Sequence, residues 1–415
     1  MKNILVVAAL DSKGTEVLFI KQRIEAYGAK TIVIDAGILG EPLFPPDFTR
    51  EQVAEMAGTT LEKVRKTPSE GEAMEMQIKG ATLIAQQLYN KGQINGILGI
   101  GGTMGTALGT AVMRSLPIGI PKVMISTVAA VGDVGVYVGT KDINMFHSVA
   151  DIAGINRLTR TILSNAAGAV VGMAKANTNV GLDKLENKKL IGISTLGTTE
   201  AAARKTRELL GEAGYETVTF HTTGVGGRCL EQTVREGLID GGMVEFSLHE
   251  WVDRNAGGLF QPPDDRYENA GLKNLPQVYV PGSTDFIVQR AGDEKLKGRL
   301  THMHNRAITL YRTSRDELKQ TGLEIGRKLS RSLAPVTVII PMRGFSVQDW
   351  EGGPLWNPKA NLGFVEGIES SASGNLKVKK VDAHVLDERF VREVVDHLLE
   401  NVKLVEFLKN SKLVV

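Results

Sequence analysis

The sequence predicts an α/β protein in two halves, each a mostly parallel sheet under helices, with a cleft between them. Three observations predict this. Short apolar, β-branched runs alternate with helical patterns along most of the 415 residues. The alternation stops at a polar stretch, residues 177–189, and restarts at a new apolar run. Small-residue loops follow several of the runs, at the strand ends where such sheets hold ligands. The expected division is an N-terminal domain over 1–180, a linker over 181–189 and a C-terminal domain over 190–415.

In the first half, residues 3–9 (NILVVAA) read as a buried strand and 15–27 as a helix. Residues 31–37 (TIVIDAG) are a second strand, with Asp35 near its end. A long helix over 68–92 stops at a glycine, and 95–100 (NGILGI) and 121–127 (PKVMIST) are further strands. Residues 129–140 are glycine-rich with no clear period, and 155–176 read as a long helix. The second half repeats the grammar: strand 190–194, helix 200–214, strand 215–221, helix 229–237 and strand 238–246. The stretch 274–282, a helix over 314–333, a strand over 335–341 and a terminal helix from 387 complete it.

Composition narrows the function. Lys and Arg number 49 against 47 Asp and Glu, a net charge of +2, so no bulk field draws nucleic acid or anionic lipid. Aromatics at 5% also argue against a base-stacking surface. The N-terminal apolar run is broken by Asp11, too short to span a bilayer and without a signal-cleavage pattern. No later run reaches membrane length, which together with the single Cys229 points to a cytoplasmic protein. Cys229 itself reads as a buried structural thiol.

The loop after the third strand, within GILGIGGTMGTALGT, carries the strongest chemical signal. Its glycines, Gly99, Gly101, Gly102 and Gly105, allow close backbone approach and positive φ. The amides and dipole of the following helix favour an anion, with Thr103 and Thr106 adding hydroxyls. The spacing is neither a Walker A loop nor the dinucleotide fingerprint. Phosphate or carboxylate binding competes here with simple tight packing. The loops STLGTTE (194–200) and TTGVGGR (222–228) repeat the pattern, which suggests anion grips on both walls of a cleft.

Other candidates are less specific. In DSKGTE (11–16), Asp11 suits Mg²⁺ or a ribose hydroxyl and Lys13 suits phosphate, against a plain helix cap with a solvated lysine. Asp35 has a ribose-like position, but the first loop lacks the glycine fingerprint. His302 and His304 share a face if they lie on a strand; Glu245 and Asp253 are the only further metal ligands considered, and a half-buried polar strand is the preferred reading. The long loop 341–361 reads equally as a ligand wall and as an irregular loop anchored by Trp350 and Trp356; Arg343 there suits a phosphate or a surface acid. No nucleophile is identifiable.

Four strings, AALDSKGTE, GILGIGGTMGTALGTAVMRSLPIGIPKVMIST, YVGTKDINMFHSVADIAGINRLTRTILSNAAGAVVGM and ISTLGTTEAA, resemble one family. It comprises ATP-binding domains like the N-terminal half of the tomato mosaic virus resistance protein. The resemblance covers essentially the whole chain and is densest over 97–176. It implies two Rossmann-like subdomains, nucleotide between them, ATP with Mg²⁺, and homodimers. Plant members continue into a TIM-barrel domain, so a separate barrel protein is a conceivable partner, and a small-molecule substrate another. Carried over by motif, the phosphate loop is Gly101, Gly102, Thr103, Gly105 and Thr106. The facing loop is Thr195, Gly197, Thr198 and Thr199. Asp11 and Lys13 match the family's first-loop Asp-x-Lys, with Asp11 the metal ligand. Whether ATP is turned over stays open: the implied activity is nucleotide binding, with a kinase- or ligase-type enzyme and an ATP-gated interaction module as alternatives.

Overall fold

The computed structural model describes residues 1–176 and 188–412. The expected linker, apart from Lys188 and Lys189, lies outside them. The chain forms two compact units, Met1–Val180 and Gly181–Val415.

The first unit runs β1 (Asn3–Ala8), α1 (Leu10–Ala26), β2 (Lys30–Asp35), α2 (Arg50–Met56), α3 (Leu61–Lys66), α4 (Glu70–Asn90), β3 (Gly96–Gly101), α5 (Thr103–Ser115), β4 (Lys122–Ser126), α6 (Gly135–Val138), β5 (Asn144–His147) and α7 (Arg157–Lys175). Its five strands are all parallel, in the order β2-β1-β3-β4-β5. Period-two alternation divides each strand between two cores. Ile4, Val6 and Ala8 meet α1 and α7 through Val17, Ile20, Leu163 and Val170. Leu5 and Val7 face the other way, onto Ala81 and Ile84 of α4 and Leu108 and Val112 of α5. Both faces are covered, which is why these strands read as unbroken apolar runs.

The second unit runs β6 (Leu190–Thr195), α8 (Glu200–Glu212), β7 (Glu216–His221), α9 (Val225–Arg235), β8 (Gly242–Glu245), α10 (His249–Ala256), α11 (Asn269–Leu272), β9 (Gln277–Tyr279), β10 (Phe286–Arg290), β11 (Thr301–Met303), β12 (Ile308–Arg312), α12 (Arg315–Leu329), β13 (Val336–Pro341), α13 (Pro358–Ser371), β14 (Leu376–Val381) and α14 (Glu388–Lys412). Six strands make a parallel sheet in the order β14-β13-β9-β8-β6-β7. One face packs on α8 and α14 through Ala203, Leu210, Phe390 and Val394. Beside it, β10, β12 and β11 form a separate antiparallel sheet that the sequence reading did not anticipate. Two α/β units with mostly parallel sheets are therefore present, each of doubly wound, Rossmann-like type. Among the described residues no helix is long and apolar enough to cross a membrane.

Candidate functional site

In the first unit the strand order reverses between β1 and β3, so the connections leaving these neighbouring strands diverge to opposite faces. A crevice must open at their carboxyl ends, the place where doubly wound sheets of this order bind ligands. A cavity of about 700 Å³ lies there. It is lined by the start of α1 (Ala9, Asp11, Ser12, Lys13), the loop after β2, residues of α3 and α4, and Gly101 to Gly105 with Leu108. Its volume is within the range of small-molecule sites.

The glycines of the opening motif divide into two kinds. A Cβ on Gly101 would stand 2.6 Å from the Cα of Gly105, and one on Gly99 2.7 Å from the sulfur of Met124. These glycines let α5 pack hard against β3 and β4. A Cβ on Gly102 would meet nothing nearer than 3.8 Å. Gly102 is the N-cap of α5, has φ −75° and supplies no side-chain cap. None of the loop's glycines has positive φ, contrary to expectation; the motif is small because of what it touches. With no cap, the amides of Thr103, Met104 and Gly105 have no partner among the described residues. All three residues line the cavity, and Thr103 is exposed there. Thr106 differs from its expected role: it is fully buried, its hydroxyl 2.7 Å from Ser126 Oγ, and it does not line the cavity.

The first loop is also corrected. Helix α1 starts at Leu10, with non-helical dihedrals at Lys13, so DSKG is an irregular first helical turn. Asp11 is only half free. Its Oδ2 accepts from the amides of Ile38 (3.1 Å) and Leu39 (3.0 Å), while Arg65 of α3 donates to the carbonyl of Ile38 at 2.6 Å. The cavity's outer wall is thus gripped from both sides. Lys13 lines the cavity but donates to the carbonyl of Ile152 at 2.6 Å. Nearby Glu16 accepts from the amide of Gly154 at 2.6 Å, so α1 holds the 152–154 segment twice. Asp35 is fully buried and accepts from the amides of Leu10 and Gly37; burial pushes its carboxyl up from the ordinary range. It braces the loop and does not line the cavity.

In the second unit the expected facing loop is largely engaged with itself. The hydroxyls of Thr195 and Thr199 are 3.1 Å apart, and Thr198 Oγ1 is 2.7 Å from Ser283 Oγ; all three threonines are buried. Gly197 is exposed. The third expected anion grip already has its anion: Glu250 accepts from the amide of Gly224, the N-cap of α9, at 2.6 Å.

The remaining candidates separate clearly. His302 lies on β11 and His304 just beyond it. Glu245 is bound to Arg266, and Asp253 accepts from the amides of Val288 and Phe260, so neither joins the histidines. Cys229 is half-buried rather than buried as expected, and that partial burial still holds its thiol above the usual range, the opposite of activation. Arg343 pairs with exposed Asp382, and Trp350 is about half exposed.

Sequence reading missed a buried ionic centre. Arg266 of the second unit is wholly enclosed and meets Glu245, Glu250 and Glu231 at 2.6, 2.9 and 3.2 Å. The acids lie on α9, β8 and α10, and Arg266 is 16 to 35 positions beyond them, so no local spacing marks the set.

Comparison with known proteins agrees with the two units. Residues 2–179 match the model of the Uncharacterised protein family (UPF0261) N-terminal domain, and 188–402 its C-terminal domain. A UPF0261 protein of Clostridium tetani is 36% identical over 403 residues, covering 96% of this chain and 98% of that one. The ToMV resistance protein Tm-1(GCR237) of Solanum lycopersicum is 35% identical over 312 residues, 74% of this chain but 41% of that protein. Among solved structures, UDP-N-acetylglucosamine 2-epimerase from Rickettsia bellii aligns over 98% of both chains at 11% identity and a TM-score of 0.25. The chain belongs to the UPF0261 family, over both of that family's domains.

Proposed function

We propose that the N-terminal unit binds a nucleotide, ATP with Mg²⁺, in the cavity at the β1/β3 switch point. The observation that carries this is the uncapped start of α5, where Thr103, Met104 and Gly105, with amides unpartnered among the described residues, line a cavity of about 700 Å³. Phosphate oxygens would take those amides at the positive end of the helix. The lining from α3 through α4 is mixed: Val64, Ala73 and Met74 offer apolar surface to a base, with Arg65, Thr67 and Glu70 among them. Lys13 would release Ile152 to meet a phosphate.

The residues fit Mg²⁺ in a limited way. Asp11 Oδ1 has no hydrogen-bond partner among the described residues, while Oδ2 is held by the wall. No group of three His, Cys, Asp or Glu side chains among the described residues could hold an ion. The metal would therefore take most of its ligands from phosphate and water, as Mg²⁺ commonly does. Bound there, it would offset phosphate charge; Gly102 to Gly105 and Lys13 would orient the phosphates.

Calorimetric titration of the whole protein with ATP and Mg²⁺, followed by phosphate release on the same sample, tests this. Saturable binding supports the reading; release then indicates an ATP-using enzyme, and binding without release an ATP-gated module. No binding removes it.

A further inference from the structure

The second unit has a cavity of its own, of about 140 Å³. Its strand order reverses between β6 and β8, and the loop after β6 forms one wall. The polar part is specific. Gly197 and Thr198 line it, and their amides have no hydrogen-bond partner among the described residues. His221, at the end of β7, and His304 bring two imidazoles. No Lys or Arg lines it. The remainder is apolar, dominated by Phe260, Phe286 and Leu310.

A second observation lies against the same walls. His249 is fully buried, and neither ring nitrogen has a partner among the described residues. Its ring meets Phe260 edge-on at 5.5 Å and stacks with Phe286 at 6.2 Å. Unsatisfied buried polar atoms are costly and uncommon. His249 does not itself line the cavity; it touches the two rings, Phe260 and Phe286, that do.

We propose that this cavity binds a short-chain monocarboxylate. Its carboxylate would accept from the amides of Gly197 and Thr198 and from His221 and His304. Its alkyl body would lie against Phe260, Phe286 and Leu310. Size suits the class: about 140 Å³ is close to the roughly 150 Å³ that holds benzene, so a group of about six non-hydrogen atoms fills the pocket. A nucleotide would lie mostly outside it. A phosphate dianion would leave most of the wall unmatched and find no fixed cation. The inference stands apart from the nucleotide reading.

The test uses the full chain and two probes, butyrate and its neutral isostere butyramide, titrated by calorimetry. Two variants fill the cavity. Gly197→Phe adds bulk at an exposed position where a Cβ meets nothing within 4 Å, so the fold should tolerate it. Leu310→Trp fills from the buried side, and circular dichroism checks its folding. The expected result is saturable butyrate binding with Kd of about 1 mM, at least about tenfold weaker for butyramide and lost in each folded variant. No saturable binding of butyrate, equal binding of the amide, or binding that survives in a folded variant overturns the proposal.

Discussion

Gly102→Asp separates packing from ligand binding in the glycine motif. The position has room: a Cβ finds nothing nearer than 3.8 Å, and φ of −75° suits any residue. It is also the uncapped N-cap of α5, where an aspartate accepts from the first-turn amides. Such a cap and its favourable charge at the helix start stabilise by about 0.5–1 kcal/mol. In a unit of this size that raises the melting temperature by roughly 1–4 °C. The same carboxylate occupies the amides a phosphate needs. At about 4 Å from a phosphate charge, with an effective dielectric constant near 20, repulsion is of order 4 kcal/mol, or several hundredfold in affinity. The variant should therefore melt no lower than wild type yet lose ATP by at least about a hundredfold. Gly101→Ala gives the opposite pattern, because its Cβ stands 2.6 Å from Gly105 Cα: a fall in stability of about 1–3 kcal/mol. Thermal unfolding and calorimetry read both. ATP affinity within about threefold of wild type, roughly 0.65 kcal/mol, in a folded Gly102→Asp protein would refute the loop assignment.

Three further outcomes follow from the same geometry. Lys13→Ala frees the carbonyl of Ile152, so hydrogen exchange should speed up over residues 152–156, and ATP should weaken more than adenosine, which has no phosphate; equal loss for both ligands removes the phosphate role. Desolvation pushes Asp253 up to about 8, above its unfolded value of 3.8. Its stabilising contribution is therefore complete below the unfolded value and is lost as pH rises through about 8. Urea denaturation at about pH 5 and about pH 9 should show a steeper fall for wild type than for Asp253→Asn, and parallel slopes would contradict this. Arg266→Leu leaves Glu231, Glu245 and Glu250 enclosed without their cation and should cost about 3–5 kcal/mol; a melting temperature within about 2 °C of wild type would count against the buried-centre account.

The parallel strands were legible because both faces are covered: Ile4 to Ala8 and Leu190 to Ile193 carry no polar side chain on either face. The antiparallel β10–β12 sheet was not, because its short strands sit among charged residues such as Arg290, Arg299 and Arg306 and make their fit only through partners far along the chain. The glycine loop was found, but its internal division was not. Gly101 and Gly102 are adjacent and identical in sequence, and only the neighbouring Gly105 Cα tells the packing glycine from the open one. Thr106 looked like its neighbour Thr103, but three residues along α5 turn its hydroxyl inward to Ser126. Glu250 as the resident anion of α9 lies 26 positions from Gly224, beyond any local pattern.

The most direct test of the central claim is residue-resolved hydrogen exchange of the whole protein, with and without ATP and Mg²⁺. The account predicts slowed exchange at the amides of Thr103, Met104 and Gly105, with a smaller effect at Ser12 and Lys13. ATP binding that leaves the start of α5 unprotected, or no change anywhere at saturating ATP, would contradict it.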